Sequence, residues 1–237
     1  MRKMIIIVFL ALGCWVSPML AQLPDETSGR VPELDAFHKP IYALWHEAWP
    51  AKDITTLKSL LPDVEKAYST LAAAKLPGIL REKQAKWDEK LKVLGQAVKE
   101  YRTASEQNNA EGVLKATESV HMNYEQMVRL VRPAMKELDA FHQVLYVLHH
   151  YYMPENKSDQ ISASADSLTT KMTALNEASL PKRLEARTDQ FSKARRNLGE
   201  SVKAFAEGVK AKKPEDELVK LESTLHARYQ VLEQVFD

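Results

Sequence analysis

Glu33-Leu34-Asp35-Ala36-Phe37-His38 returns, residue for residue, as Glu137-Leu138-Asp139-Ala140-Phe141-His142. The step from His38 to His142 is 104 residues, and further matches keep it. Tyr42 meets Tyr146, His46 meets His150, Pro50 meets Pro154, Leu76-Pro77 meets Leu180-Pro181, and Leu94-Gly95 meets Leu198-Gly199. Trp87 meets Phe191 and Tyr101 meets Phe205. One added residue in a later loop makes the step 105, at which His121 meets His226 and Tyr124 meets Tyr229. So many coincidences in order read as an internal duplication.

Each copy divides into four helical stretches. In the first copy they cover about 32–49, 53–75, 79–105 and 110–131. Pro50 stops the first, because proline cannot continue a helix. Pro62 marks a possible break in the second, and Leu76-Pro77-Gly78 reads as a turn. In the third, Leu80, Trp87, Leu91, Leu94, Val98 and Tyr101 keep helical spacing. Only 7 glycines occur among 237 residues, a composition that favours helix over strand. The expected fold is all-α: two tandem up-down-up-down four-helix bundles, copy 1 over 32–132 and copy 2 over 133–237. Pro133 sits at the junction without a glycine-rich tether, so a kinked or closely abutting helix junction is expected.

The start of the chain reads as an export signal over residues 1–21. Arg2 and Lys3 are its charged beginning, and Met4 to Val16 is an apolar run too short to span a bilayer. Leu20-Ala21-Gln22 supplies a cleavage site after Ala21, with Met19 larger than ideal. Residues 22–31 are polar at first and are expected to be a disordered lead-in. The expected location is the periplasm, or another exported compartment. The lone Cys14 follows Leu10-Ala11-Leu12-Gly13, an order that departs from a lipobox, so a lipid anchor is not expected. A mature chain without cysteine excludes disulfides and thiolate metal sites. Lys+Arg 33 against Asp+Glu 32 leaves no overall field to recruit nucleic acid.

The repeated stretch places a polar seam beside the apolar arc of each first helix. Asp35, His38, Tyr42 and His46 form it in copy 1, and Asp139, His142, Tyr146 and His150 in copy 2. His149 stands where copy 1 has Trp45. On the fourth helices His121 and His226 border the arc, beside Tyr124 and Tyr229. Antiparallel first and fourth helices are expected to bring His38 to His121 and His142 to His226. Imidazoles with a carboxylate suit zinc, copper, nickel or iron. The candidate metal residues are therefore Asp35, His38 and His121 in copy 1, and Asp139, His142 and His226 in copy 2. His38 and His46 lie about 12 Å apart along a helix and cannot share one ion. A b-type haem competes for space with Tyr42, Trp45 and Trp49. A c-type haem lacks its Cys-x-x-Cys-His, and a di-iron bundle lacks its inward glutamates.

Other features have plain structural readings. Trp45, Trp49, Tyr151 and Tyr152 are expected to pack core and rim, and Lys193, Arg195 and Arg196 to form a solvated face. No phosphate-cradling loop, nucleophile elbow or acid–base constellation stands out, so an enzyme is not expected. The expectation is an exported, non-catalytic helical protein that binds a ligand, a transition metal or haem included, through the repeated Asp/His/Tyr seam. The competing expectation is a scaffold for a protein partner, in which the histidines only pack and hydrogen-bond.

Overall fold

In the computed structural model, residues 26–132 and 135–236 are described, and every regular element among them is a helix. The stretch read as an export signal, Cys14 and Pro133 lie outside the described residues. The helix α1 (Pro32–Tyr42) runs directly into a π-helical turn (Ala43–Ala48). Then come α2 (Ile54–Ser59), α3 (Leu61–Ala72), a 3-10 turn (Gly78–Lys83), α4 (Gln84–Glu106) and α5 (Ala110–Val131). The second half carries α6 (Lys136–Val147) with its π-helical turn (Leu148–Tyr152), then α7 (Ser158–Glu177) and a 3-10 turn (Lys182–Arg187). It ends with α8 (Thr188–Lys210), α9 (Glu215–Glu233) and a last 3-10 turn (Gln234–Phe236).

Local chemistry sets these bounds. Asp53 caps α2 by accepting from the Thr56 N–H at 3.0 Å, and Asn109 caps α5 by accepting from Gly112 at 3.0 Å. The stretch 53–75 is divided into two helices just before Pro62, where the sequence marked a possible break. Pro62 falls in the first turn of α3, where a missing N–H leaves nothing unpaired.

The π-helical turns close with five-residue bonds, Trp49 N–H to the Leu44 carbonyl at 3.0 Å and Met153 N–H to Leu148 at 2.9 Å. Each is followed by a left-handed residue, Lys52 (φ 51°) and Asn156 (φ 46°). Pro40 inside α1 does not explain the widening. Val144 stands at its place in α6, where the π-helical turn is equally present.

Helix α1 packs on α3, α3 on α4, α4 on α5, and the π-helical turn of α1 on α5. In the second half α6 packs on α7, α7 on α8, and α8 on α9. The buried residues fall into two clusters, one around Phe37, Leu57, Trp87, Tyr101 and Tyr124, the other around Phe141, Leu168, Leu198, Phe205 and Leu225. The second half reaches into the first cluster: Tyr146, carried by α6, is buried in it, and the partly buried Val147 and Tyr151 pack against it. Burial of such side chains contributes about 1.5–3 kcal/mol each.

Two segments differ from their sequence reading. Glu26–Arg30, expected to be disordered, lies against the folded chain: Glu26 accepts hydrogen bonds from the hydroxyls of Tyr146 and Tyr151. Arg195 is not part of a solvated run. Its guanidinium donates to the carbonyls of Leu175, Asn176 and Ala178 at 3.2, 3.1 and 3.0 Å, closing the C-terminal end of α7. Among the described residues no helix is long and apolar enough to cross a membrane.

Candidate functional site

The polar seam of the second half lies beneath the 3-10 turn of the first. Arg81 donates to the Tyr146 hydroxyl, sits 4.9 Å over that ring, and reaches His150 Nδ1 at 3.4 Å. The next residue, Glu82, meets His226 Nε2 at 3.1 Å and accepts from Gln230 at 2.9 Å. Lys83 pairs with Glu233 at 3.1 Å. Three consecutive side chains thus bind the halves to each other. Gly78 lies close against the second half: a Cβ there would collide with the Tyr146 hydroxyl.

Within the seam the rings stack. His142 lies on Tyr229 with centroids 4.5 Å apart. His149 lies on His226 at 4.0 Å with planes 3° from parallel. His149 Nδ1 also donates to Glu222 at 2.9 Å, and Glu222 is buried.

The electrostatics follow the contacts. The His226 bond, helped by Gln230, holds Glu82 down at about 2 against its desolvation. Burial pushes His142 down to about 3. Burial, with Arg81 alongside, lowers His150 to about 4. The Glu222 hydrogen bond raises His149. At neutral pH His142 and His150 are therefore uncharged, each with one ring nitrogen to donate and one to accept.

The first half keeps the same ring pattern with its outer face uncovered. His38 neighbours Tyr124 at 6.3 Å, Tyr42 neighbours His46 at 5.0 Å, and His121 stacks on Trp45 at 4.1 Å and 6°. Trp45 in turn stacks on Trp49, whose indole N–H donates to the Leu114 carbonyl at 3.1 Å. His38, Tyr42 and His46 are exposed.

The antiparallel register does not pair His38 with His121. It sets His38 across from Tyr124, and Trp45 across from His121. Asp35 is held by Arg30 at 2.7 Å. In the second half His142 and His226 are close enough to influence each other's charge, but they stack on Tyr229 and His149 respectively. Asp139 accepts from Gln143 at 3.1 Å and is raised by burial. Among the described residues no group of three or more His, Cys, Asp or Glu side chains is arranged to hold a metal ion.

Arg81, Glu82 and Glu222 were not singled out by the sequence reading. Only Glu222 left a trace there: where the first half has Trp45 and Thr117, the second has His149 and Glu222, a double exchange that creates an ion pair.

Asp139, His142 and Tyr229 also wall a cleft of about 860 Å³ where the halves meet. It shares Gly29, Val128, Val131, Arg132 and Asp139 with an adjoining hollow of about 600 Å³, so the two form one trough. No protein-family model, no curated protein sequence and no solved structure matches this chain.

Proposed function

We propose that the chain is an exported, non-catalytic ligand-binding protein, made by duplication of a four-helix unit, and that it binds its ligand in the cleft between the two halves. One observation carries the choice of site: two residues of the repeated seam, Asp139 and His142, wall a cleft whose volume suits a small molecule, together with Tyr229, on which His142 stacks. The duplication is supported by features that recur at the sequence step. The π-helical turns, the left-handed Lys52 and Asn156, and the ring pairs His38–Tyr124 and His142–Tyr229 all recur. So do two carbonyl contacts, Lys83 to Leu130 at 3.2 Å and Arg187 to Val235 at 2.6 Å. Export rests on Arg2, Lys3 and the apolar run ending before Ala21.

The test is a thermal-melt screen of the mature chain against small molecules, haem, zinc, copper, nickel and iron. A ligand that binds only the folded state raises the melting temperature with its concentration, about 2.7 kcal/mol at 100 times its dissociation constant. His142→Phe, which keeps a ring against Tyr229, should remove most of the rise for a ligand that uses the imidazole. A screen in which nothing shifts the melt sinks the reading. The scaffold for a protein partner then takes its place, a reading favoured by the stacking of His142, His149 and His226 on other rings.

A further inference from the structure

We infer that the cleft between the halves takes an amphipathic anion: one carboxylate or phosphate head on an apolar chain. The inference rests on the ligand-binding reading above and names the ligand class for the same site.

The charge around the cleft is lopsided in a chain that is balanced. Over the whole sequence Lys+Arg 33 faces Asp+Glu 32. On the cleft wall Lys83 and Glu233 pair with each other at 3.1 Å, and Lys90, Arg129, Arg132 and Arg183 stand there against Glu89 and Asp139. Lys90 spends its ammonium on the uncharged Gln126 at 3.1 Å. Arg129 and Arg183 are exposed and have no carboxylate partner among the described residues. Like charges gathered round a concave wall raise the local potential, and an anion relieves it. Planar guanidinium forks match the two oxygens of a carboxylate or phosphate.

The lining also holds Leu80, Leu138, Leu184 and Phe236, which asks for something other than a bare ion. The adjoining hollow continues the trough past Val31 and Leu34. A small hydrated anion gains nothing from that surface, whereas an acyl chain loses water on it.

Isothermal titration of the mature chain with dodecanoate and with dodecyl phosphate tests this. Dodecanol and dodecyltrimethylammonium serve as the uncharged and cationic controls, all below their micelle concentrations. The expected result is saturable binding of at least one anion and at least tenfold weaker binding of both controls. The double variant Arg129→Glu/Arg183→Glu, altered only at exposed positions, should weaken the anion at least tenfold while melting as the parent does. Preference for dodecanoate assigns a fatty-acid head and preference for dodecyl phosphate a phosphate ester; either supports the inference. Equal binding of anion and cation overturns it, as does an affinity untouched by the double variant. If both anions fail while another compound from the melt screen binds and is weakened by His142→Phe, the ligand class is wrong and the cleft stands. If nothing binds in either experiment, both readings fall together.

Discussion

The imidazole of His149 lies flat on that of His226, 4.0 Å away and 3° from parallel, and each ring is tied to a carboxylate of its own. Ring-nitrogen lone pairs lie in the ring plane, so two parallel stacked imidazoles aim past each other and cannot chelate one ion between them. What the stack does need is negative charge at its edges whenever a proton is taken up. Glu222 supplies it from within the second half, and Glu82 from the first.

Glu222→Gln should therefore lower the titration midpoint of His149, whose pKa is raised chiefly by the Glu222 hydrogen bond. The sign on stability follows from that direction. A histidine with a raised pKa contributes stability that is fully present below its unfolded value of about 6.5 and is lost as pH rises through the folded value. The variant should lose more stability against wild type at pH 5.5 than at pH 8.5. Proton NMR of the ring and urea melts at the two values check this, and an equal loss at both would remove Glu222 from the role.

His142 and His150 act in the opposite sense. Their folded pKa values are lowered to about 3 and about 4. Between those values and about 6.5 the unfolded chain binds protons that the folded chain refuses, so stability falls as pH drops through that window. His142→Phe should flatten this acid slope. The expected recovery near pH 4, relative to neutral pH, is on the order of a few kcal/mol. Urea melts from pH 7.5 to 4 read it directly, and an unchanged slope would show that His142 is protonated without cost in the fold.

Thr117 has a buried hydroxyl oxygen without a hydrogen-bond partner among the described residues, in a side chain with no exposed surface. Thr117→Val replaces that hydroxyl with a methyl of similar size and removes an unpaired polar group. It should stabilise by about 1 kcal/mol. The test is a shift of the melting temperature upward, with a fall indicating that the hydroxyl has a partner after all.

Much of this organisation was legible in the residues, for a physical reason. Helices with a regular apolar spacing and proline- or asparagine-marked ends declare themselves locally, so α5 runs over 110–131 as its spacing predicted. Glu33-Leu34-Asp35-Ala36-Phe37-His38 at the start of the first helix needed no tertiary information. The partner of each histidine did. A one-turn shift in antiparallel register decides whether His38 faces His121 or Tyr124, and it is not encoded in a local pattern. The joining of the halves through Arg81 and Glu82 was also invisible. Their sequence context, a charged run after a turn, is the same as that of many solvated surfaces.

Lys212 follows the end of α8 in a left-handed conformation, φ 51°, with the next N–H bonded to the Gly208 carbonyl at 3.1 Å. Lysine bears a Cβ penalty there that glycine lacks. Lys212→Gly should stabilise by roughly 1 kcal/mol. Asn108, at the corresponding place after α4, already relieves part of the penalty, so Asn108→Gly should gain less. Equal gains, or losses at both sites, would mean that the strain is offset elsewhere in each turn.

Gly78 offers the sharpest test of how the halves are joined. Its φ is not positive, so alanine is free of backbone strain there, and on backbone grounds alone Gly78→Ala would stabilise by about 0.4–1 kcal/mol. The added Cβ, however, would run into the hydroxyl of Tyr146 and crowd Arg81 and Glu26. Tyr146 has little room to yield, being 2 % exposed and flanked by Arg81, His150 and Tyr151. The turn Gly78–Lys83 must lift instead, and lifting it loosens Arg81 from Tyr146 and Glu82 from His226. The expected cost is about 1–3 kcal/mol, the range for an overpacked contact. Amide exchange should localise it: faster exchange in 78–83 and 146–151, with α4 around Trp87 and α8 around Phe205 unchanged. Gly199→Ala, where a Cβ would meet only Met172 at ordinary contact distance, serves as the control. If Gly78→Ala proves as stable as the parent and exchanges alike, the first-half turn does not hold the second-half seam.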